Sequence, residues 1–460
     1  MKNKIVLFVT GCCVLLLSSC LDSDNGTSIE IAPNCQLSSF SLKSDSIKGL
    51  SSTNFTIDQL NGRIFNSDSM PYGTVFDEKV TATINYMSSI AVSGMQVYQT
   101  AKGDTLWWSG SDSLDFSQPV YFKVMAYDGM NSKEYKAWVN IHQVEPDSMS
   151  WGLYASKLFE EEVKEQKVIS YAPAKEETGY YYMYTSAADA SKGYGLYKTA
   201  VTDVKSWEKL PLTGLPATNV RISQITEYNG NFYVPTTEGV LYVSANGQDW
   251  TAVEEAPSVK YLFGVVKKGE KQPSVLTAAV EVEDGLHYAA MNEKNEWTTG
   301  GAVQPSFPLT GFGVSTYAAM YHEYLMVVAG RDKENKLTRY SWATMDGLNW
   351  ALLSDEDRES FCAREGVMVT PYDDKLFLIG GMDASGKVYK DMYTSTDYGV
   401  TWSKSDTLVV MPTDYAARAF SSVQVDKDNF MFIFGGKTAK NTNEQQQVWR
   451  GRINRLGFKK

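Results

Sequence analysis

Histidine and cysteine are scarce in this 460-residue sequence. The three histidines, His142, His287 and His322, have no spacing that would place two of them on one metal ion, so we expect no metal and no cofactor. Outside the N-terminal segment the only cysteines are Cys35 and Cys362, which excludes a framework of several disulfides.

Positive charge is also in the minority. The chain has 43 Lys and Arg residues against 54 Asp and Glu residues, a formal net charge of −11. Nucleic-acid binding needs a basic face and docking on anionic lipid needs a basic patch, so neither partner is expected. A G-x-S-x-G nucleophile motif and a glycine-rich phosphate loop are absent as well, which excludes two common classes of enzyme site.

The N-terminal segment has the features of a targeting signal. Lys2 and Lys4 precede an apolar run from Ile5 to Leu17, which is too short for a membrane-spanning helix. The run ends in Leu-Ser-Ser-Cys, which resembles a bacterial lipobox. The resemblance implies a signal peptide over residues 1–19, cleavage before Cys20 and a lipid on its thiol. An ordinary secretory signal with an incidental cysteine is the alternative.

Residues 20–32 are polar and acidic at their start, as expected of a flexible tether. An acidic stretch behind a lipidated cysteine resembles the surface-export signal of Bacteroidota lipoproteins. It implies an outer-membrane lipoprotein exposed at the cell surface, which touches the membrane only through its lipid. A periplasmic location stays open.

Residues 33–146 alternate between apolar and polar side chains, as in Val80, Ala82 and Ile84, which predicts short half-buried strands. Asp128-Gly129, between two alternating runs, predicts a β-hairpin. The segment resembles the immunoglobulin-like sandwich modules of Bacteroidota lipoproteins, which implies a spacer. If Trp107-Trp108 lies on a strand, one indole belongs to the core and the other is exposed, where it could stack on a sugar.

The remainder of the sequence repeats. Tryptophans recur every 43 to 53 residues, about the length of one four-stranded propeller blade. They are Trp207, Trp250, Trp297, Trp350 and Trp402. The last copy, Ser395, Asp397, Gly399, Thr401 and Trp402, matches the Asp-box S-x-D-x-G-x-T-W at every fixed position. The resemblance implies a structural β-hairpin turn, with the indole packed between neighbouring blades.

Two glycine pairs, Gly380-Gly381 and Gly435-Gly436, each follow an apolar strand, a pattern similar to kelch repeats. Five hairpin tryptophans predict five blades, and a sixth lacks its fourth strand. The run from Trp151 to Phe159 is free to supply that strand and close the ring. The predicted fold is therefore all-β: an immunoglobulin-like sandwich over 33–146 and a six-bladed kelch/Asp-box propeller over 150–460. Seven blades are the alternative.

Three arginines, Arg221, Arg364 and Arg418, precede innermost strands, and their convergence at the propeller axis would bind a carboxylate or sulfate. Sialidases combine Asp-boxes with an arginine triad. Here, however, Arg221-Ile222 is followed by Ser223 where the sialidase motif has proline, and no Tyr–Glu nucleophile pair is found. Anion binding, catalysis and structural packing of the arginines therefore remain open.

These features favour a surface-anchored, non-catalytic lipoprotein that binds a glycan or a protein through its propeller face. The overall build resembles uncharacterised Bacteroidota surface lipoproteins, a resemblance that brings no activity with it. The alternative is a glycan-processing enzyme, sialidase-like or another glycosidase, with two carboxylates at the axis. A third possibility is a structural subunit of a surface complex. The oligomeric state is not determined by the sequence.

Overall fold

A computed structural model describes residues 34–100, 103–110, 112–159, 161–172, 179–270, 272–353, 361–439 and 446–455. The predicted signal peptide, Cys20 and the tether lie outside the described residues. The chain divides into two compact units, Met1–Glu145 and Pro146–Lys460. In the part of the chain that the structure describes, no helix is long and apolar enough to cross a membrane.

The N-terminal unit contains two sheets around one apolar core. A three-stranded sheet has the order β1-β4-β7, and a six-stranded sheet has the order β2-β3-β9-β8-β5-β6, in which only β3 and β9 pair in parallel. The strands are β1 (Leu37–Lys43), β2 (Phe55–Asp58), β3 (Arg63–Asn66), β4 (Val80–Tyr86), β5 (Val92–Tyr98), β6 (Thr105–Trp107), β7 (Ser113–Leu114), β8 (Val120–Ala126) and β9 (Ser132–Trp138). Short 3-10 turns occupy Leu50–Ser52 and Ser89–Ala91.

Alternation builds this core, because successive side chains of a strand point to opposite faces. In β8, Val120, Phe122 and Val124 are fully buried, whereas Lys123 between them is exposed. The hairpin predicted at Asp128-Gly129 forms between β8 and β9. The Asp128 carboxylate accepts two backbone N–H bonds in the loop, from Met130 and Asn131.

Among its described residues, the C-terminal unit contains six four-stranded antiparallel sheets. The first three are β11 (Val163–Tyr171), β12 (Tyr180–Ala187), β13 (Tyr194–Ala200), β14 (Glu208–Leu210); β15 (Thr226–Tyr228), β16 (Asn231–Pro235), β17 (Leu241–Ser244), β18 (Thr251–Ala252); and β19 (Val259–Val266), β20 (Val275–Val282), β21 (Gly285–Met291), β22 (Trp297–Ala302). Short 3-10 turns lie at Ala190–Lys192 and Ile222–Gln224.

The fourth and fifth sheets are β23 (Gly313–Ala319), β24 (His322–Arg331), β25 (Leu337–Thr344), β26 (Ala351–Leu352); and β27 (Met368–Tyr372), β28 (Lys375–Ile379), β29 (Met392–Ser395), β30 (Ser403–Lys404). The sixth combines β32 (Ser422–Val425), β33 (Met431–Phe434) and β35 (Val448–Ile453) with β10 (Met149–Ala155), the first strand of the unit. A separate two-stranded pair joins β31 (Arg418–Ala419) to β34 (Lys437–Thr438).

The pairing of β10 with β35 joins the two ends of this unit, as the sequence pattern predicted. Innermost strands of successive sheets contact one another, and β11 of the first sheet meets β32 of the sixth, so the sheets form a closed ring. Apolar side chains fill the space between neighbouring sheets. Met326 and Val328 of the fourth sheet, for example, share a buried cluster with Val369 and Leu378 of the fifth. This is the architecture of a β-propeller.

Candidate functional site at one end of the propeller ring

The tryptophan repeats lie at equivalent places, between the third and fourth strands of the first five sheets or at the start of the fourth strand. In the last copy, the Asp397 carboxylate accepts bonds from the Thr401 N–H at 2.9 Å and the Ser395 hydroxyl at 2.8 Å. Burial alone raises the pKa of the Asp397 carboxyl, but these bonds and that of the Thr401 hydroxyl leave it below its ordinary value. Trp402 donates Nε1–H to the Ser341 hydroxyl of the preceding sheet at 3.0 Å. This hairpin therefore joins two blades.

Arg364, one of the three candidate anion-binding arginines, is buried inside its own sheet, with 1% of its surface exposed. Its guanidinium donates to the carbonyls of Cys362 at 3.2 Å and Gly380 at 2.9 Å, and to the Asp391 carboxylate at 2.8 Å. It also lies over the Tyr389 ring, 4.2 Å from its centroid. The guanidinium is thus bonded within the fifth sheet.

Arg418 repeats this arrangement in the two-stranded pair β31–β34, which precedes the sixth sheet, and is fully buried. It donates to the carbonyls of Ala416 at 3.0 Å and Gly435 at 3.1 Å, and to Oε1 of Gln447 at 3.0 Å. In both cases the carbonyl of the first glycine of the kelch-like pair is an acceptor. The second glycine is needed for the close approach, because a Cβ on Gly381 would lie 2.8 Å from Cδ of Arg364.

Arg221 differs from the other two. It stacks on Tyr261 at 4.3 Å from the ring centroid, and its buried Nε has no hydrogen-bond partner among the described residues. Arg364 and Arg418 therefore already have structural hydrogen-bond partners within their own parts of the propeller. Of the interpretations left open by the sequence, the geometry of these two arginines favours the structural one.

A cavity of about 230 Å³ lies beside these buried arginines rather than on them. The first, fifth and sixth sheets contribute its lining: Val163, Lys164, Glu165 and Gln166 at the start of β11, Glu365 and Met382 from the fifth, and Phe420, Gly436 and Lys437 from the sixth. Typical small-molecule pockets measure about 300–1,000 Å³, so this one fits a single small group, such as one sugar ring or one side chain.

Gln166 is a lining residue whose side chain has an unsatisfied hydrogen-bonding atom. It is 8% exposed, and its Nε2 donates to the Phe434 carbonyl at 2.8 Å. Its Oε1 is buried and has no hydrogen-bond partner within the described residues. A buried acceptor without a partner costs about 1–3 kcal/mol. This oxygen is therefore a place where a ligand donor would be stabilised.

Another arginine, Arg331, holds the Glu365 carboxylate in position. Both carboxylate oxygens of Glu365 accept from Arg331, at 2.8 Å from Nε and 2.6 Å from Nη2. Its backbone exchanges two hydrogen bonds with Met382, at 2.8 and 2.9 Å. The carboxylate thus has a permanent cation as its partner and contributes a fixed acceptor to the cavity.

The other lining residues are either apolar or carry an exposed charge. Phe420 and Met382 are half-buried, and Phe420 has a φ of 58°, an unusual value for a residue other than glycine. Lys164 and Lys437 are exposed and form no ion pair with a described residue. A small apolar pocket with a few convergent polar groups is the usual form of a ligand site.

Another innermost-strand residue, Lys167, follows Gln166 on β11. Burial lowers the pKa of its ammonium group below the ordinary value.

Within the described residues, no cluster of His, Cys, Asp and Glu has the arrangement needed to hold a metal ion.

Two of the loops that the sequence analysis singled out for their arginines also line the cavity, through other side chains. Glu365 is adjacent to Arg364 and Phe420 is two residues beyond Arg418, so the loops chosen for their arginines do reach the cavity. Gln166 and Lys437 were missed. Nothing in the sequence distinguishes Gln166, because residues 164–167 of the inner strand Val163–Tyr171 are all polar and only the tertiary structure buries this one.

Comparison with known proteins agrees with this architecture. Residues 145–460 match the family described as the DUF6242 beta propeller domain, and residues 36–139 match the DUF6242 N-terminal domain. The molecule is a β-propeller protein preceded by a smaller β-unit. The chain belongs to the DUF6242 family. No curated protein matches it. It is similar to the solved structure of YjhT, with 14% identity and a TM-score of 0.41 over 63% of this chain and 95% of YjhT.

Proposed function

We propose that this chain is a surface-anchored lipoprotein whose propeller binds a glycan or a protein without transforming it. The single observation that carries the binding function is a cavity built by three parts of the propeller, whose lining includes Gln166, a residue with an unpartnered and buried Oε1. An oxygen of this kind favours a ligand that donates a hydrogen bond, such as a hydroxyl or an amide.

The rest of the cavity supports a small polar ligand with one apolar face. Phe420 and Met382 offer apolar contact, Glu365 offers a fixed acceptor, and the ammonium groups of Lys164 and Lys437 offer donors. A sugar ring or a polar peptide side chain meets these requirements. Since the cavity is small, it would hold one such unit of a larger partner.

The sequence features at the N-terminus support the anchoring. In this proposal Cys20 carries the lipid, residues 20–32 form the tether, and an immunoglobulin-like N-terminal unit serves as spacer at the outer face of the outer membrane. Cys20→Ala should abolish incorporation of labelled palmitate in the parent bacterium. Protease added to intact cells should digest the anchored wild-type protein, whereas a periplasmic protein would be protected.

Binding is tested with the soluble chain lacking residues 1–27 on a glycan array, followed by crosslinking on intact cells to capture a protein partner. Gln166→Leu should weaken the interaction by about 10-fold or more, since a good hydrogen bond in a closed site contributes about 1–3 kcal/mol. Gln424→Leu is the matched control, because Gln424 also donates to an inner-strand carbonyl, that of Val168, but does not line the cavity.

The alternative function is that of a glycosidase. It is favoured by one observation, that two carboxylates, Glu165 and Glu365, line the same cavity. Glycosidases need one carboxyl that gives up a proton, and Glu365 is instead bonded through both oxygens to Arg331. Any glycan retained on the array is therefore assayed for turnover. Hydrolysis that is lost in Glu165→Gln would replace the binding function with the enzymatic one.

A further inference from the structure

The outer face of the six-stranded sheet in the N-terminal unit carries an exposed indole. Trp107 is 62% exposed on the edge strand β6, whereas its neighbour Trp108 is turned inward and packs edge-on against Phe122, with 6.3 Å between ring centroids. Complete exposure of a large aromatic surface is unfavourable, so an indole that is fixed in position at the surface calls for an explanation.

The Trp107 ring is seated on a glycine. A Cβ on Gly94 would lie 3.1 Å from Cζ3 and 3.5 Å from Cε3 of the ring, so the absence of a side chain lets the indole lie against the strand β5. The backbone next to it is fixed as well, because the Trp108 N–H donates to the Met95 carbonyl at 2.8 Å. One face of the indole is covered and the ring is oriented before any ligand arrives.

Hydrogen-bonding side chains continue from the indole in a straight row across the sheet. In the strand register Trp107 is opposite Gln96, Gln96 is opposite Lys123, and Lys123 is opposite Glu134. Neighbouring strands are about 4.8 Å apart, so the row spans about 14 Å. It offers an aromatic plane, an amide, an ammonium and a carboxylate in that order, and the carboxylate already accepts a bond from the Tyr98 hydroxyl.

We propose that this row, from Trp107 to Glu134, is a binding site for a neutral polysaccharide. A pyranose ring has an apolar face of C–H groups that fits the negatively charged face of an indole. Its hydroxyls both donate and accept, which matches an amide flanked by one cation and one anion. The site lies on another unit of the chain than the propeller cavity and does not depend on it.

Charge argues against other occupants. A single-stranded nucleic acid would require a predominantly basic groove, whereas in this row Lys123 is balanced by Glu134. Lys136, the next cation on this face of β9, lies over the Tyr121 and Trp138 rings. A stable protein partner would require roughly 800 Å² of complementary surface on each side with an apolar centre. The row has one exposed aromatic ring and then three polar groups, which suits a hydroxyl-rich chain better.

The test is affinity electrophoresis of the full mature chain in native gels containing starch, barley β-glucan, xylan or galactomannan. We expect at least one polysaccharide to retard the wild-type chain, and Trp107→Ala to weaken that association about 10-fold. Trp107→Phe should retain part of it. Leu106→Ala is the matched control, since Leu106 is equally exposed at 62% on the same short strand but points to the opposite face.

A second variant separates the ring's position from its presence. Gly94→Ala keeps the indole but adds a methyl group 3.1 Å from its Cζ3, so the ring must shift by a few tenths of an ångström and retardation should fall without loss of the tryptophan. Circular dichroism must show that each variant is folded. Gln166→Leu should leave retardation unchanged, which keeps this result independent of the propeller cavity. Equal retardation of Trp107→Ala and wild type, or no retardation by any of the four polysaccharides, would overturn the proposal.

Discussion

Arg418, the buried arginine of the β31–β34 pair, provides the sharpest test of how this propeller is held together. Replacing Arg418 with methionine keeps most of the side-chain volume but removes the three bonds that its guanidinium donates to Ala416, Gly435 and Gln447. Gln447 Oε1 keeps a donor, because Nε1 of Trp449 lies 3.1 Å away. The two carbonyls lose a charged donor in the interior.

Each hydrogen bond to a charged group contributes about 1.5–3 kcal/mol, but removing the guanidinium also removes the cost of burying it. We therefore expect a net loss of about 3 kcal/mol. A unit of roughly 300 residues has an unfolding entropy near 0.6 kcal/mol/K, so the melting temperature should fall by about 4–5 °C. Differential scanning calorimetry resolves a shift of this size.

Two further arginine variants are compared with Arg418→Met. Arg364→Met should lower the melting temperature more, since it also removes the cation that pairs with the Asp391 carboxylate. Arg221→Met should lower it less, since the described contact of Arg221 is its stacking on Tyr261. A shift below 1 °C for Arg418→Met would refute the structural interpretation. Unchanged stability together with lost ligand binding would restore the predicted anion site.

Three other outcomes follow from the same structure. Asp397→Asn should destabilise the chain by about 1–2 kcal/mol at pH 7. Because the folded pKa of Asp397 is lowered, its contribution to stability is full above the ordinary pKa of 3.8 and is lost as pH falls through the folded pKa. Urea titrations from pH 6 to 3 should therefore show a weaker dependence of stability on acid in the variant than in the wild type. Lys167→Met should raise the melting temperature at pH 7, because the lowered folded pKa means that the charge on this lysine opposes folding. The increase in melting temperature should become smaller as pH rises from the folded pKa toward 10.5. An increase that grows with pH would contradict this reasoning. Gly451→Val should destabilise by about 1–3 kcal/mol, since a Cβ there would lie 2.4 Å from the Trp151 ring on the strand that closes the propeller, and unchanged calorimetry would show that the contact is easily relieved.

Local patterns in the sequence were sufficient for much of the architecture. Period-two alternation identified strands such as β8, because a half-buried sheet sorts its residues by face without reference to distant parts of the chain. The hairpin before Trp402 likewise determines its own turn, since Ser395, Asp397 and Thr401 bond one another within a few residues. The supply of the missing strand by β10 followed from counting the strands of each repeat.

Other features depended on neighbours that are remote in sequence. Whether an arginine faces a ligand or its own sheet depends on the position of the backbone carbonyls in the next turn of the chain. Arg364 contacts the Gly380 carbonyl only once the fifth sheet has formed. The cavity exists because residues near 165, 365, 420 and 437 meet after the ring has closed. Which of two adjacent tryptophans is exposed was decided by packing, with Trp108 against Phe122 and Trp107 on Gly94. The sequence alone therefore determined the strands and turns, whose bonds are local, and the tertiary structure decided the binding surfaces, whose parts are joined only by long-range packing.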